Sequence, residues 1–300
     1  MVNAGSLVIE RARQCPGKIA VVSRDESVDF GTLNHRANRL AHALVAQGMK
    51  RNDRVALFLP NSTEFVVAYL AVQKAGGVVV PLDMKFSPHT VGEMMDMVEA
   101  RFLVTGPPLE EAARVRVPTI LLERDQILLN GRTLHPPDTD IGVDRRTDDE
   151  ATYLYTSGTT GQQKLAVLTQ GNLTCFPRVL QEIFAASPEE VYGILLPLSH
   201  VSGPIAIQEM AEHGSRLVLL NLMVDRRGVL RSIQEHRVSL LWGVMPLYQI
   251  LLHEARMAEF DTGSVRVLAT MGMNTPVSFM REVSRTFPRA AVVQGYGLTE

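Results

Sequence analysis

The sequence predicts an α/β fold built from largely parallel β-sheets that are covered by helices. Apolar runs of strand length alternate with longer segments in which apolar residues recur at helical spacing. The runs are almost continuously apolar, which is typical of parallel strands buried on both faces. Of the 300 residues, 46% are hydrophobic, so the chain can fill a large core.

The first half of the chain predicts a helix followed by a strand–helix–strand unit. Apolar residues recur on one helical face from Phe30 to Leu44, and Gly48 follows as a stop signal. Asn61, with Glu64 three residues later, has the spacing of a capping box at the start of a second helix. The elements around that helix are a strand at 55–59, a helix end at Gly76-Gly77 and a strand at 78–80.

The second half repeats the same alternation. A polar stretch at 131–150 contains few apolar residues, and we interpret it as a surface excursion between two structural halves. A boundary near 175–186 then divides the chain into subdomains of residues 1–180 and 181–300. The predicted strands are 191–196, 216–220, 239–242, 265–269 and 291–293, and the predicted helices lie near Ile205, near Val229 and from Pro246 to about Ala255.

Composition and charge argue against several classes of protein. With 30 basic and 32 acidic residues the net charge is −2, so nothing suggests a nucleic-acid surface. No stretch has the pattern of a signal peptide or of a membrane span. Cys15 and Cys175 are far apart and are expected to be buried thiols in a reducing cytoplasm. No Cys/His cluster has zinc spacing.

A loop rich in hydroxyl groups and glycine is the first candidate site. Its residues are Thr156, Ser157, Gly158, Thr159, Thr160 and Gly161, followed by Lys164. Apolar residues at 153–155 and 165–168 predict a strand on either side. Several N–H and O–H donors would converge on one point beside a positive charge, which suits a polyphosphate. The spacing is not that of the strand-to-helix P-loop, and a turn without ligand is the alternative.

A second candidate motif lies at the other end of the sequence. Residues Gln294 to Glu300 follow an apolar run and offer a tyrosine ring, flexible glycines, a hydroxyl group and a carboxylate. These groups can stack on a base, approach a phosphate and bind a divalent cation. An ordinary strand end with a half-buried tyrosine is the alternative. The two motifs in this order are far more specific than either alone.

With both motifs, the chain resembles the AMP-forming adenylating superfamily, which includes acyl-CoA synthetases, aryl-CoA ligases, luciferase and the adenylation domains of peptide synthetases. The phosphate loop of that family, Y-T-S-G-T-T-G-x-P-K-G, is similar to Tyr155–Gly161 with Lys164, and its Y-G-x-T-E motif is similar to 296–300. Its K-A-G-x-x-x-x-P-L-D and P-L-x-H-x-x-G blocks are similar to 74–83 and 197–203. The resemblance covers essentially the whole chain. It implies two α/β sheets packed on each other, as in the N-terminal domain of acyl-CoA synthetases.

The resemblance also implies roles for individual residues, with ATP, Mg²⁺ and CoA as the cofactor and co-substrates. The residues expected to bind the nucleotide are Thr156, Ser157, Gly158, Thr159, Thr160, Gly161, Lys164, Gly295, Tyr296, Gly297 and Thr299, with Glu300 as the Mg²⁺ ligand. The residues expected in catalysis are Lys164, His200, Thr299 and Glu300. The residues expected to line the acid pocket are His200, Trp242, Gly243, Met271, Gly272 and Met273. A hydrogen-bonded strand-end cap is the alternative for His200, and core filling is the alternative for the methionines.

The resemblance is incomplete in two respects. Gln163, Leu165 and Gln170 stand where the family has proline, glycine and histidine, which predicts reduced activity or a changed acid. The family's ribose-binding aspartate, hinge arginine and mobile C-terminal domain follow its Y-G-x-T-E motif, where this sequence stops. We therefore expect the 300-residue chain alone not to complete acyl-CoA synthesis and to expose apolar surface at its edge. A C-terminal domain or a partner such as a carrier protein would supply the rest.

The predicted function is AMP-forming activation of a carboxylic acid, followed by thioester formation with CoA. A catalytically weak nucleotide-binding module and an amino-acid adenylation domain are the alternatives, while a kinase is disfavoured because no Walker loop is present. Between Pro197 and Gln208 there is no acidic residue to pair with a substrate ammonium group. Burying that group unpaired would be costly. We expect an uncharged aliphatic or aromatic acid, in a pocket that Met271 and Met273 shorten or flatten.

Overall fold

The computed structural model describes residues 3–107, 109, 115–157, 163–254 and 257–299. They form two β-sheets with helices between the sheets and on both outer faces. The predicted α/β class, with two packed and largely parallel sheets, is confirmed. No helix within these ranges is long and apolar enough to cross a membrane.

The secondary structure follows the predicted alternation. The strands are β1 (Ile19–Val22), β2 (Ser27–Asp29), β3 (Arg54–Phe58), β4 (Val78–Pro81), β5 (Phe102–Thr105), β6 (Thr119–Glu123), β7 (Gln126–Leu129), β8 (Arg132–Leu134), β9 (Glu150–Ser157), β10 (Gln163–Thr169), β11 (Val191–Ile194), β12 (Arg216–Leu219), β13 (Leu240–Gly243), β14 (Val267–Thr270) and β15 (Ala291–Gln294). The helices are α1 (Leu7–Gln14), α2 (Phe30–Ala46), α3 (Thr63–Lys74), α4 (Pro88–Met97), α5 (Gln170–Phe184), α6 (Ser202–His213), α7 (Arg226–Glu235), α8 (Met245–Leu252) and α9 (Val277–Thr286).

The strands pair into one eight-stranded and one seven-stranded sheet. The eight-stranded sheet has the order β10-β9-β4-β3-β5-β6-β7-β8, and its strands from β9 to β6 are parallel. The seven-stranded sheet has the order β15-β14-β13-β11-β12-β1-β2 and is parallel except for β2. The parallel strands of each sheet therefore end at a common edge. In open α/β sheets, ligands bind outside that carboxyl edge.

The sheets do not follow the division expected at residue 180. The hairpin of β1 and β2 joins the sheet that otherwise consists of residues 191–294, because β1 pairs in parallel with β12. Position 180 itself lies inside α5, which begins with a capping box between Thr169 and Asn172. The residue pattern of a single strand does not indicate which sheet the strand joins. The boundary between the two sheets therefore depends on tertiary pairing.

Helices α2, α3 and α6 lie between the two sheets. The predicted apolar face of α2, from Phe30 to Leu44, is buried in a core that both sheets share. Helix α3 is apolar on all sides and is buried along its whole length, as such a sequence requires. The outer faces are covered by α4 on the eight-stranded sheet and by α7, α8 and α9 on the seven-stranded sheet.

The polar segment expected to be a surface excursion is tied to the helices between the sheets. The side-chain amide of Asn34 on α2 donates to Asp140 Oδ1 at 2.9 Å, and that of Asn38 donates to the Asp138 carbonyl at 2.8 Å. The ammonium group of Lys74, at the end of α3, is fully buried and donates to Asn34 Oδ1. Burial lowers the pKa of Lys74 to about 7, although the charge of Asp140 opposes this shift.

Because of Lys74, the free energy of unfolding should rise with pH. The lysine pKa is 10.5 before burial and about 7 after it, so between these values the unfolded chain binds more protons than the folded chain. The lysine then contributes a positive slope of at most about 1.4 kcal/mol per pH unit. Urea unfolding of the wild type and of Lys74→Met at pH 7, 8 and 9 measures this slope. The free energy of unfolding of the wild type minus that of Lys74→Met should rise from pH 7 to pH 9. A value that stays constant with pH would contradict the prediction.

Candidate functional site

The carboxyl edges of the two sheets are joined by side chains that follow β3 and β4. The amide of Asn61 donates to the Leu196 carbonyl at 2.8 Å and accepts from the Leu198 N–H at 2.8 Å. Asp83 Oδ2 lies 3.5 Å from Nε2 of His200. Asn61 and Asp83 follow strands of the eight-stranded sheet, and the segment they contact follows β11 of the seven-stranded sheet. These contacts therefore hold the two edges beside each other.

The predicted capping role of Asn61 is wrong. Ser62 is the N-cap of α3, and its hydroxyl accepts from the Phe65 N–H at 3.3 Å. Glu64, expected to complete a capping box, instead accepts from the Arg124 N–H at 3.2 Å. Because Ser62 fills the capping position, the amide of Asn61 can bond to the opposite sheet.

His200 lies in a tight turn between β11 and α6. Its carbonyl accepts from the Gly203 N–H at 2.8 Å. A Cβ atom at Gly203 would lie 2.0 Å from the Leu198 carbonyl oxygen, so this close approach of the backbone requires glycine. The side chain of His200 is 53% exposed and contacts Asp83 rather than a backbone group. A molecule between the two edges can therefore reach the imidazole.

Three neighbouring strand ends bring together most of the residues predicted to line the acid pocket. Gly243 ends β13, and its carbonyl accepts from the Met271 N–H at 3.3 Å. Gly295 follows β15 and donates to the last carbonyl of β14 at 2.9 Å. Gly272 has a φ of 79°, a left-handed conformation that glycine adopts without strain. Met271 packs partly against the shared core, whereas Met273 is exposed.

Trp242 lies one residue before the end of β13 and is buried in the shared core. Its ring meets that of Tyr192 edge to face, with centroids 5.8 Å apart. Tyr192 donates to Glu209 Oε1 at 2.8 Å, and Nδ1 of His213 lies 2.7 Å from the same oxygen. Among the residues described, the Trp242 N–H has no hydrogen-bond partner. The pocket role predicted for Trp242 stays a prediction, since its packing is that of a core residue.

The hairpin of β9 and β10, which we name the phosphate hairpin after the ligand predicted for its loop, approaches the same edge as Asp83. Strand β9 is parallel to β4 and pairs with β10, so that Thr156 lies opposite Lys164. Lys164 is exposed, and the backbone of Ser157 ends β9. The tip of the predicted loop, Gly158, Thr159, Thr160 and Gly161, lies outside the described residues.

The terminal motif extends away from the core. Tyr296 is 95% exposed, so the alternative of a half-buried ring is wrong, while stacking on an adenine stays a prediction. Gly297 is also exposed, Thr299 is half-buried, and Glu300 lies outside the described residues. In the part of the chain that is described, no hydrogen bond joins Tyr296 to β9 or β10. The structure thus brings Gly295 to the pocket residues, whereas Tyr296 and Gly297 are exposed.

Two of the departures from the family pattern have a structural explanation. Gln170 is buried, and its amide donates to Gln73 Oε1 at 2.7 Å and accepts from the Ala4 N–H at 2.8 Å. Leu165 packs against the core beneath α4. Both residues therefore anchor the hairpin and the following helix to neighbouring elements. Of the Gln163 side chain nothing is described.

The described residues contain neither a metal cluster nor a disulfide bond. No three His, Cys, Asp or Glu side chains in these ranges come together so that they could hold a metal ion. Both cysteines are free: Cys15 is half-buried, and Cys175 is exposed, contrary to the expectation that both are buried.

Asn61 and Asp83 are the site residues that sequence reasoning missed. In the sequence, Asp83 stands out only as the last residue of the block at 74–83, and Asn61 only as a predicted cap. A signal was present, since each is a polar residue just after a buried strand, at the edge where α/β sheets bind ligands.

Comparison with known proteins assigns the family. The sequence profile described as AMP-binding enzyme matches residues 8–300. A feruloyl-CoA synthase from Amycolatopsis is 33% identical over 99% of this chain and 59% of its own length. A 2-succinylbenzoate–CoA ligase from Bacillus licheniformis is 32% identical over 97% of this chain and 59% of its own length. The N-terminal domain of FACL13 from Mycobacterium tuberculosis has a TM-score of 0.89 at 26% identity, covering 100% of this chain and 77% of that domain.

The chain thus spans about three-fifths of the length of these two curated relatives, 59% in each case. The match to the family profile extends over nearly the whole chain, and the fold of the solved domain matches 100% of this chain. The protein therefore belongs to the AMP-binding enzyme family.

Proposed function

We propose that this chain provides the nucleotide- and acid-binding part of an AMP-forming acid:CoA ligase. The reaction would activate a carboxylic acid with ATP as an acyl-adenylate and then transfer the acyl group to the thiol of CoA. The observation that carries the proposal is the junction of the two carboxyl edges, where Asn61 and Asp83 contact the segment around His200 and β9 lies next to β4. The relatives named as CoA ligases support it.

In the first step, the substrate carboxylate attacks the α-phosphorus of ATP. A new phosphorus–oxygen bond forms, the bond to the bridging oxygen breaks, and pyrophosphate leaves. The chain has to align the two reactants and neutralise the charge that spreads over the phosphates. Lys164 and the hydroxyl of Thr156, opposite each other on the hairpin, are suited to the β- and γ-phosphates. His200 would border the carboxylate.

The family resemblance assigns Mg²⁺ to Glu300, which lies outside the described residues, and to the phosphates of the substrate. Mg²⁺ in nucleotide sites takes one or two carboxylates and fills its remaining positions with phosphate oxygens and water. A cluster of protein ligands is therefore not required. When bound, the ion would neutralise charge on the phosphates.

We further propose that the acid carries no ammonium group. The nearest acidic residue in the α6 region is Glu209, about 10 Å along the helix axis from its first residue. Glu209 is buried and already bonded to Tyr192 and His213. It is therefore held away from His200 and is not available as a partner for a substrate amine. The carboxylate of Asp83, which does lie beside His200, is already engaged by the Lys85 N–H and by the imidazole. The feruloyl- and succinylbenzoate-activating relatives act on acids without an amino group, by their names.

ATP–pyrophosphate exchange with a panel of acids tests both proposals, with the longest chain that the natural gene encodes. We expect exchange with at least one aliphatic or aromatic acid and none with the standard amino acids. The matched pair is an aryl propenoic acid and the α-amino acid with the same ring. Exchange with the amino acid alone would refute the proposed acid class and favour an amino-acid adenylation domain.

The second candidate is a catalytically weak nucleotide-binding module. Gln163 and Leu165, in the positions of the family's loop proline and glycine, favour it. This candidate predicts saturable ATP binding by calorimetry without exchange for any acid. If exchange occurs, thioester formation with CoA or with a carrier-protein thiol identifies the acceptor.

A further inference from the structure

We propose that Asp83 is a positioning residue for His200, and that Asn61 fixes the backbone of the turn that carries this histidine. The inference rests on the proposed function in that His200 borders the bound acid. The proposal adds Asn61 and Asp83, which follow strands of the eight-stranded sheet, to the part of the site that would bind the acid. The other residues predicted for that part lie at strand ends of the seven-stranded sheet.

The carboxylate of Asp83 is held in one orientation. Its Oδ1 accepts from the Lys85 N–H at 2.9 Å, and its Oδ2 faces His200 Nε2 at 3.5 Å. The side chain of Asp83 is only 18% exposed, so it cannot swing freely into solvent. Its position depends on the end of β4 and not on the histidine that it contacts.

The contact between Asp83 and His200 orients the imidazole. At 3.5 Å it is longer than a formed hydrogen bond but within ion-pair distance, and contacts in sites without substrate often shorten when substrate binds. The interaction with His200 is the largest effect that lowers the pKa of Asp83, with Lys85 acting in the same direction and desolvation against both. An ionised carboxylate only accepts, so a hydrogen bond between the two groups would be donated by the Nε2–H of the imidazole.

Asn61 acts on the backbone of the same turn. Its amide bonds in both directions, donating to the Leu196 carbonyl and accepting from the Leu198 N–H, each at 2.8 Å. These two bonds hold the chain on both sides of Pro197, three residues before His200. Asn61 thus fixes the backbone at the start of the turn, and Asp83 contacts the imidazole of His200.

A double-mutant cycle on the longest natural chain tests the role of Asp83. Asp83→Ala should lower kcat of pyrophosphate exchange about 10- to 100-fold, because a misplaced imidazole loses alignment with the acid. Asp83→Asn keeps an acceptor oxygen and should lose less, and KM for ATP should stay within about twofold. In a His200→Ala background, Asp83→Ala should cause no further loss. The control is Asp96→Asn, an exposed aspartate on α4 that should leave exchange unchanged.

A second measurement does not depend on activity. ¹³C relaxation of the His200 ring should report a rigid imidazole in the wild type and in Asp96→Asn, and a mobile one in Asp83→Ala. Equal losses from Asp83→Ala in both backgrounds, or an unchanged ring mobility, would overturn the positioning role. A wild type that exchanges pyrophosphate with no acid would refute the proposed function, while the relaxation result would still decide whether Asp83 holds the ring.

Discussion

Lys164→Ala should reduce acid-dependent ATP–pyrophosphate exchange by about 10²- to 10³-fold, the loss expected when one preorganised charge is removed from a transition state. Lys164 lies opposite Thr156 on the phosphate hairpin and is exposed, so its replacement removes a charge without disturbing the core. The urea midpoint should therefore stay unchanged. Exchange kinetics with saturating acid, at several ATP concentrations, measure the effect.

Two variants make this result specific to the hairpin. Lys50→Ala removes an exposed lysine away from the proposed site and should leave exchange unchanged. Lys164→Arg keeps the charge but changes its geometry and should retain part of the activity. If Lys164→Ala and Lys50→Ala behave alike, the hairpin does not bind the phosphates, and the proposed nucleotide site is wrong.

Gly203→Ala should be the most damaging of the small substitutions in this chain. The added Cβ would lie 2.0 Å from the Leu198 carbonyl oxygen, a backbone atom that cannot move without shifting the His200 turn. We expect a loss of at least about 2 kcal/mol in the free energy of unfolding, together with a loss of exchange activity. Urea unfolding followed by circular dichroism measures the first effect.

Gly92→Ala is the matched control, with the opposite expected sign. Gly92 lies within α4, and a Cβ there would meet no atom within 4 Å. Alanine in a helix interior is favoured over glycine, so this variant should gain about 0.5–1 kcal/mol. A Gly203→Ala protein as stable as the wild type would show that the turn can adjust, and that glycine is not required there.

Elements with a local signal can be predicted from the amino-acid sequence. The face of α2 from Phe30 to Leu44, the all-apolar α3 and the buried strands follow from the spacing of apolar residues, which depends only on near neighbours. The motif around Lys164 and the turn around His200 were likewise found from short residue patterns. Each of these predictions needed no knowledge of which elements meet in space.

Tertiary structure alone decided which distant segments share a site. Asn61 was predicted to cap its own helix, but it bonds residues 135 and 137 positions away in the chain. The strand pair β1–β2 joins the sheet formed by the far half of the chain, and Trp242 packs on Tyr192 in the core. The physical reason is that pairing between remote residues depends on the loops, sheet edges and competing partners of the whole fold. The spacing of residues along the chain does not indicate these properties of the whole fold.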